Sequence, residues 1–361
     1  MEPMGTAAEA SDRAWTGATV SRLGRGQRVR MAGVAALFVF FLVGLPALLS
    51  VYWLDVLTLA AVYSVVALGL GVLMGRVGLV SLGQIAVLAL GAWVAARIAF
   101  ATPLPFPVVL LLAGLITAVL GTMVGLPALR LSGLYLALIT LMMAGAITVV
   151  LAATNFPNGG SGFLGHTEST SAASVPRPAI APSDPAYFRY TVIVAALMFL
   201  LAFIHVRGKP GRAWAAIRQS EPAALAAGVN ITLYKLWAFA LASFMTGVGG
   251  GLLAAGVGRL YTYQFPTSDS ILLLAVVLMG GIYSLWGAIV AGILMKVFPA
   301  VLDIWNLPAD LLTILFGIGA VQVLATAPAG LAAQVPRDLA RLGRLVARVI
   351  KRYAGRRKGR Q

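Results

Sequence analysis

The chain has 361 residues, of which 60% are hydrophobic and 11% charged, with a formal net charge of +16. That apolar share exceeds what a soluble globule can hide, so much of the surface has lipid as its solvent. No cysteine occurs, which excludes disulfides and thiolate metal sites, and the two histidines, His166 and His205, stand far apart in sequence. Neither a metal site nor a cofactor is expected.

Hydrocarbon offers backbone amides no partner, so each crossing of the ~30 Å core takes about 20 apolar residues as helix. Residues 1–30 form a basic N-terminal extension. Its charged stretch is too long for a signal peptide, the run after it has full span length, and no small-x-small cleavage site follows, so a retained first helix is expected. Apolar runs then lie near 31–50, 54–74, 78–99, 107–129 and 133–153. The stretch 154–188, rich in Gly, Ser, Pro and Asn, reads as a solvated loop. Further runs lie near 189–206, 236–256 and 309–327, with a polar island at 207–235, and residues 328–361 form a basic tail. The region 270–302 reads either as one crossing or as two segments, 270–280 and 284–302, interrupted at Gly280 and Gly281.

Charge decides between these. Arg13, Arg22, Arg25, Arg28 and Arg30 at one end and ten basic residues from Arg337 to Arg360 at the other place both termini in the cytoplasm. The number of crossings is then even, and the split reading of 270–302 supplies the tenth. On that topology 22 of the 27 Lys and Arg face inward, the island is cytoplasmic and the 154–188 loop is outside. The expected class is all-α, a polytopic membrane protein of about ten segments with one or two discontinuous helices. The net charge reads as a topology signal, with no basic patch interleaved with stacking aromatics to suggest nucleic acid.

No G-x-x-x-x-G-K-[ST], G-x-S-x-G or H-E-x-x-H stretch is present, so neither ATP binding nor hydrolytic chemistry is expected of this chain. Charges at mid-membrane depth are nearly missing, which argues against a proton relay. Lys296 comes nearest, and its stem is long enough to snorkel to the outer interface. Most of the 40 glycines, including Gly69, Gly71 and Gly75 and the set Gly247, Gly249, Gly250 and Gly251, read as close helix contacts.

Two glycine stretches differ. GLVSLGQ at 78–84 and GIYSLWG at 281–287 share a G-[LI]-x-S-L pattern at the cytoplasmic ends of outward-going segments. Unwound backbone at such breaks lends amides and carbonyls to a solute, so Ser81, Gly83, Gln84, Gly280, Gly281 and Ser284 are candidate pathway residues. The island RGKPGRAWAAIRQSEPAALAAGVNITLYK holds a short basic helix against the bilayer face, anchored at both ends by spans. Pro222 suits a first helical turn and Gly228 a stop, predicting a helix over 222–227. Ala213, Trp214, Ile217 and Leu225 give an apolar side flanked by Arg212 and Arg218. The same pattern also suits an amphipathic helix lying on lipid.

GLVSLGQIAVLALGAWVAA at 78–96, LRLSGLYLALITL at 129–141, GRAWAAIRQSEPAALAAGVNITLYKLWAFALAS at 211–243 and SILLLAVVLMGGIYSLWGAIVAG at 270–292 together resemble the LivM-type permease subunits of branched-chain amino acid ABC importers, a family that also includes urea and short-amide permeases. The resemblance implies a permease domain over 31–327 in the bacterial inner membrane. It also implies a second homologous permease subunit, two cytoplasmic ATPase subunits and a periplasmic solute-binding protein. Arg212, Trp214, Ile217, Arg218, Glu221, Ala224 and Gly228 would then couple the permease to its ATPase. Met142-Met143-Ala144-Gly145 departs from the family pattern, which often has an acidic residue there. An ion-coupled secondary transporter and a non-transporting scaffold are the alternatives. The first lacks ion-coupling side chains in the membrane, and the second has no need of the glycine breaks.

Overall fold

The computed structural model describes residues 40–126, 131, 133–154, 175–306, 308–326 and 330–332. Phe40–Gly44, a π-helical turn, and Leu45–Leu48 belong to a unit of their own, Met1–Leu49, and the chain from Ser50 onward forms one compact unit. Residues 31–39 of the expected first span, the N-terminal extension and the basic tail apart from 330–332 lie outside the described residues.

No strand occurs among the described residues of the second unit. Its helices are α1 (Val51–Gly71), which continues as a π-helical turn Val72–Val77, α2 (Gln84–Ala101), α3 (Phe106–Gly125), α4 (Gly133–Ala153), α5 (Asp184–Arg207), α6 (Lys209–Gln219), α7 (Glu221–Ala226), α8 (Ile231–Val257), α9 (Ser268–Gly280), α10 (Leu285–Ile304) and α11 (Ala309–Thr326). Eight stretches among the described residues are long and apolar enough to cross a membrane, and α11 adds a shorter apolar helix, Ile314–Val323. The chain is a polytopic all-α membrane protein. The region 270–302 is two helices, broken where the glycine pair predicts.

One expected span starts late. The 78–99 run becomes helical only at Gln84, because Gly78 ends the π turn with φ 86° and residues 78–83 stay non-helical. The end of the 154–188 loop is also less solvated than its composition suggests. Val175 and Ala181 are buried, and Val175 N–H donates to the Gly258 carbonyl at 2.9 Å.

The bundle is organised around α8. Its apolar window is 89% buried within the chain and that of α1 72%, against 28% for both α4 and α5, so α8 is the axis and α4 and α5 are peripheral. It packs on α1, α2 and α3, while α10 packs on α1. The approach is backbone to backbone. A Cβ on Gly91 of α2 would lie 2.5 Å from the Gly247 Cα, and one on Gly250 2.5 Å from the Leu88 carbonyl oxygen. Small residues let membrane helices come this close. Gly249 is different, since a Cβ there would meet Val66 at 3.5 Å, an ordinary contact, so it is not one of the tight positions of the expected set.

Candidate functional site

The polar island folds as the helix pair α6 and α7. Pro210 occupies the first turn of α6, where no helical hydrogen bond is lost, and Gly211 lies so close to the Val206 carbonyl that a Cβ would collide with it. Ser220 leaves the helical conformation, and its hydroxyl accepts from Ala223 N–H at 3.4 Å to start α7, with Pro222 in the first turn. Gly228 ends the segment with φ 79°. Nothing lies within 4 Å of where its Cβ would be, so backbone conformation, not space, selects glycine there. The Asn230 side chain then accepts from Leu233 N–H at 3.0 Å and caps α8.

The inner face of α6 consists of Ala213, Trp214 and Ile217, all buried. Trp214 is fully enclosed, and its indole N–H donates to the Tyr234 carbonyl at 2.8 Å, so burial strands no donor. On α7 only Ala224 turns inward. Leu225, expected on the apolar side, is 63% exposed. Successive helical residues point about 100° apart, so once Ala224 takes the inward position of this single-turn helix its neighbour faces out. Arg212, Arg218, Glu221 and Gly228 are exposed. Glu221 nevertheless has a partner, the Lys235 ammonium at 2.7 Å, whose side chain is only 4% exposed, and the pair ties α7 to α8.

Arg218 reaches furthest. Its Nη1 donates to the Gly75 carbonyl at 2.7 Å and its Nη2 to the Tyr283 hydroxyl at 2.8 Å, while the guanidinium lies 4.5 Å from the Tyr283 ring centre. Its Cγ stands 3.4 Å from where a Gly78 Cβ would be. Arg76, on the π turn, donates to the Tyr283 carbonyl at 2.9 Å. One side chain on α6 thus touches the entrance to the first glycine break and the middle of the second.

The candidate pathway residues fall into two unlike groups. Ser81 and Gln84 are 4% and 3% exposed. Leu82 N–H donates to Thr140 Oγ1 at 2.9 Å, and Thr246 Oγ1 donates to Gln84 Oε1 at 3.4 Å, which fixes this turn to α4 and α8. A Cβ on Gly83 would already be 3.4 Å from the Thr140 carbonyl. The second break runs from Gly281, with φ 110°, to Ser284. Gly280 faces Gly287 across it too closely for a Cβ, and Gly281 and Ser284 line a small crevice with Gly71 and Arg76. The two breaks are linked through the π turn and the arginines. Arg76, Tyr283, Thr140 and Thr246 were absent from the expected set. Arg76 and Tyr283 adjoin the glycine motifs and so carried a local signal, whereas Thr140 and Thr246 carried none.

The family described as branched-chain amino acid transport system / permease component matches residues 52–324. Two relatives, the high-affinity branched-chain amino acid transport system permease protein LivM of Salmonella typhimurium (strain LT2) and that of Escherichia coli (strain K12), are each 30% identical over 279 residues. The match takes in 70% of this chain and 64% of each relative, so the chain spans just under two thirds of their length. No solved structure matches. From α1 to near the end of α11, then, this bundle with its two glycine breaks and its arginine-tied hairpin belongs to the family of branched-chain amino acid transport system permease components.

Proposed function

We propose that the chain is the membrane-spanning permease subunit of a binding-protein-dependent ABC importer of the bacterial inner membrane. It moves a branched-chain amino acid or a related small polar solute, such as urea or a short amide, into the cytoplasm. ATP is hydrolysed on two partner subunits, a second homologous permease completes the pore, and a periplasmic protein delivers the solute. Both termini and the α6–α7 hairpin face the cytoplasm. Family membership and the LivM relatives support this reading.

The observation that carries it is the double contact of Arg218. An ATPase bearing on the exposed outer side of α6 and α7, through Arg212, Glu221 and the Gly228 turn, moves a helix whose inner side is locked by Trp214, Ile217 and Ala224. Arg218 then transmits that displacement to the Gly75 carbonyl and to Tyr283 together. Neither break has continuous helical bonding, and the second, held by arginines at an exposed edge, yields before the packed helices do, so the solute route past Ser81, Gly83, Gln84, Gly280, Gly281 and Ser284 opens and closes with it.

The test is reconstitution of this chain with the homologous permease, the ATPases and the binding protein in proteoliposomes, with labelled L-leucine and urea offered separately. Uptake is expected only with ATP inside the ATPase compartment. Accumulation driven by an ion gradient without ATPase subunits would establish a secondary transporter instead.

A further inference from the structure

Lys296 does not snorkel to an interface. It is the twelfth residue of the 20-residue helix α10, and its ammonium lies 4.2 Å from the centre of the Tyr63 ring, which is 2% exposed and next to the midpoint of the Val51–Val77 span. The side chain points sideways into the bundle at mid-span, where a cation is costly and seldom without purpose.

An opposite charge stands at the same depth. Asp269 comes eleven residues before Gly280 on α9, and Lys296 comes eleven residues after Leu285 on α10. These two helices pack together and diverge from one short break, so at 1.5 Å per residue both side chains lie about 16 Å from it. The two side chains do not touch, since the only ion pairs among the described residues are Arg177–Asp184 and Lys235–Glu221.

Each group keeps unused bonding capacity. The ring face is the only described contact of the Lys296 ammonium, and a ring accepts no conventional hydrogen bond from its three N–H groups. Beside Asp269, the Ser270 hydroxyl is buried and has no partner. Beside Lys296, the Met295 carbonyl lacks its helical donor because Pro299, four residues on, has no N–H. Both Lys296 and Asp269 are only half-buried.

We propose that Lys296 and Asp269, with Tyr63 holding the lysine in place, form a binding station inside the membrane for the zwitterionic head of an α-amino acid. The solute carboxylate takes the ammonium of Lys296, and the solute ammonium takes Asp269 with the Ser270 hydroxyl and the Met295 carbonyl. Two opposed charges separated by more than an ion-pair distance match both charges of a zwitterion, whereas a neutral urea or amide gains only hydrogen bonds there and no ion pair. The inference narrows the solute class left open by the importer reading and rests on that reading for its biological sense, though its test does not.

The full chain alone, in lipid nanodiscs, is heated with millimolar L-leucine, L-leucinamide, 4-methylpentanoate or urea, and its unfolding midpoint is recorded. Binding to the native state raises the midpoint. L-leucine is expected to raise it by several degrees, and the amide, the acid lacking an ammonium and urea to leave it unchanged. Lys296→Met should abolish the L-leucine shift, Lys296→Arg should keep it, and Asp269→Asn should weaken it, each variant giving a single sharp transition without solute. An equal L-leucine shift in Lys296→Met, or no shift in the wild type, overturns the station. Because no ATP or partner is involved, failure of ATP-driven uptake would count against the importer reading while leaving a positive shift standing.

Discussion

The two glycine breaks share a sequence pattern and differ in how they are held. At Gly78–Gly83 the backbone is clamped from inside the bundle, with Leu82 bonded to Thr140, Gln84 to Thr246, and Ser81 and Gln84 buried. At Gly281–Ser284 the holding bonds come from Arg76 and Arg218, at an exposed edge. Interior bonds from short threonine side chains are hard to exchange, whereas bonds from long exposed arginines are easily remade. The first break therefore reads as a fixed wall and the second as the moving part, a division that the shared motif alone conceals.

Arg218→Ala should break this comparison most visibly. It removes two hydrogen bonds at once, each worth about 1 kcal/mol after allowance for exposure, so ATP-dependent uptake is expected to fall about thirtyfold while ATPase activity and the amount of assembled complex persist. Arg218→Lys should not restore uptake, because one ammonium on a shorter stem cannot span the Gly75 carbonyl and the Tyr283 hydroxyl. Uptake at the wild-type level in Arg218→Ala would leave the second break without its handle.

Next in size is Gly83→Leu. The 3.4 Å clearance to the Thr140 carbonyl means that the side chain must push α4 away and strain the Leu82–Thr140 bond. The expected result is less assembled complex, with uptake per assembled complex retained, measured by purified yield and transport in parallel. A normal yield with blocked transport would instead make the first break a gate like the second.

Thr140→Val is a milder form of the same test. It leaves the Leu82 N–H without its acceptor at nearly unchanged volume, at a cost of about 1–3 kcal/mol. The thermal midpoint should drop while the KM for solute stays put, and a changed KM would show that this turn touches the solute. The smallest effect is expected for Gly228→Val, whose left-handed backbone strains a β-branched residue by about 1–2 kcal/mol in otherwise open space. Uptake should fall severalfold and recover in Gly228→Asn. An unaffected Gly228→Val would mean that the turn after α7 plays no part in coupling.

The sequence made legible those features that a few neighbouring residues decide. Apolar runs marked the helices, Gly280 and Gly281 marked the interruption in 270–302, and Pro222 and Gly228 bounded α7 within a residue or two. It did not reveal the direction of Leu225, since a six-residue helix is too short for periodicity to choose a face. Nor did it separate Gly249 from Gly250, adjacent glycines on different faces of α8, one with ordinary clearance and one against backbone. Arg218 was singled out as one flank of an apolar stripe. Its partners, Gly75 and Tyr283, lie in remote parts of the chain, so no local spacing pairs them with it. The same holds for Lys296, whose long stem allowed more than one direction until Tyr63 of a distant helix supplied the surface it rests on.

The burial of α8 bears on the order in which the molecule can be made. Gly91, Gly114 and Gly121, on helices synthesised early, are shaped to receive Gly247, Phe244 and Ser243, which leave the ribosome only after the whole middle of the chain. Until then the first three helices wait in the bilayer with their closest-fitting surfaces empty. The core closes late and through contacts remote in sequence, the kind that forms slowly. A nascent chain stalled anywhere before α8 is therefore left with inserted helices and no centre, an unfinished product that membrane proteases can tell from a finished one.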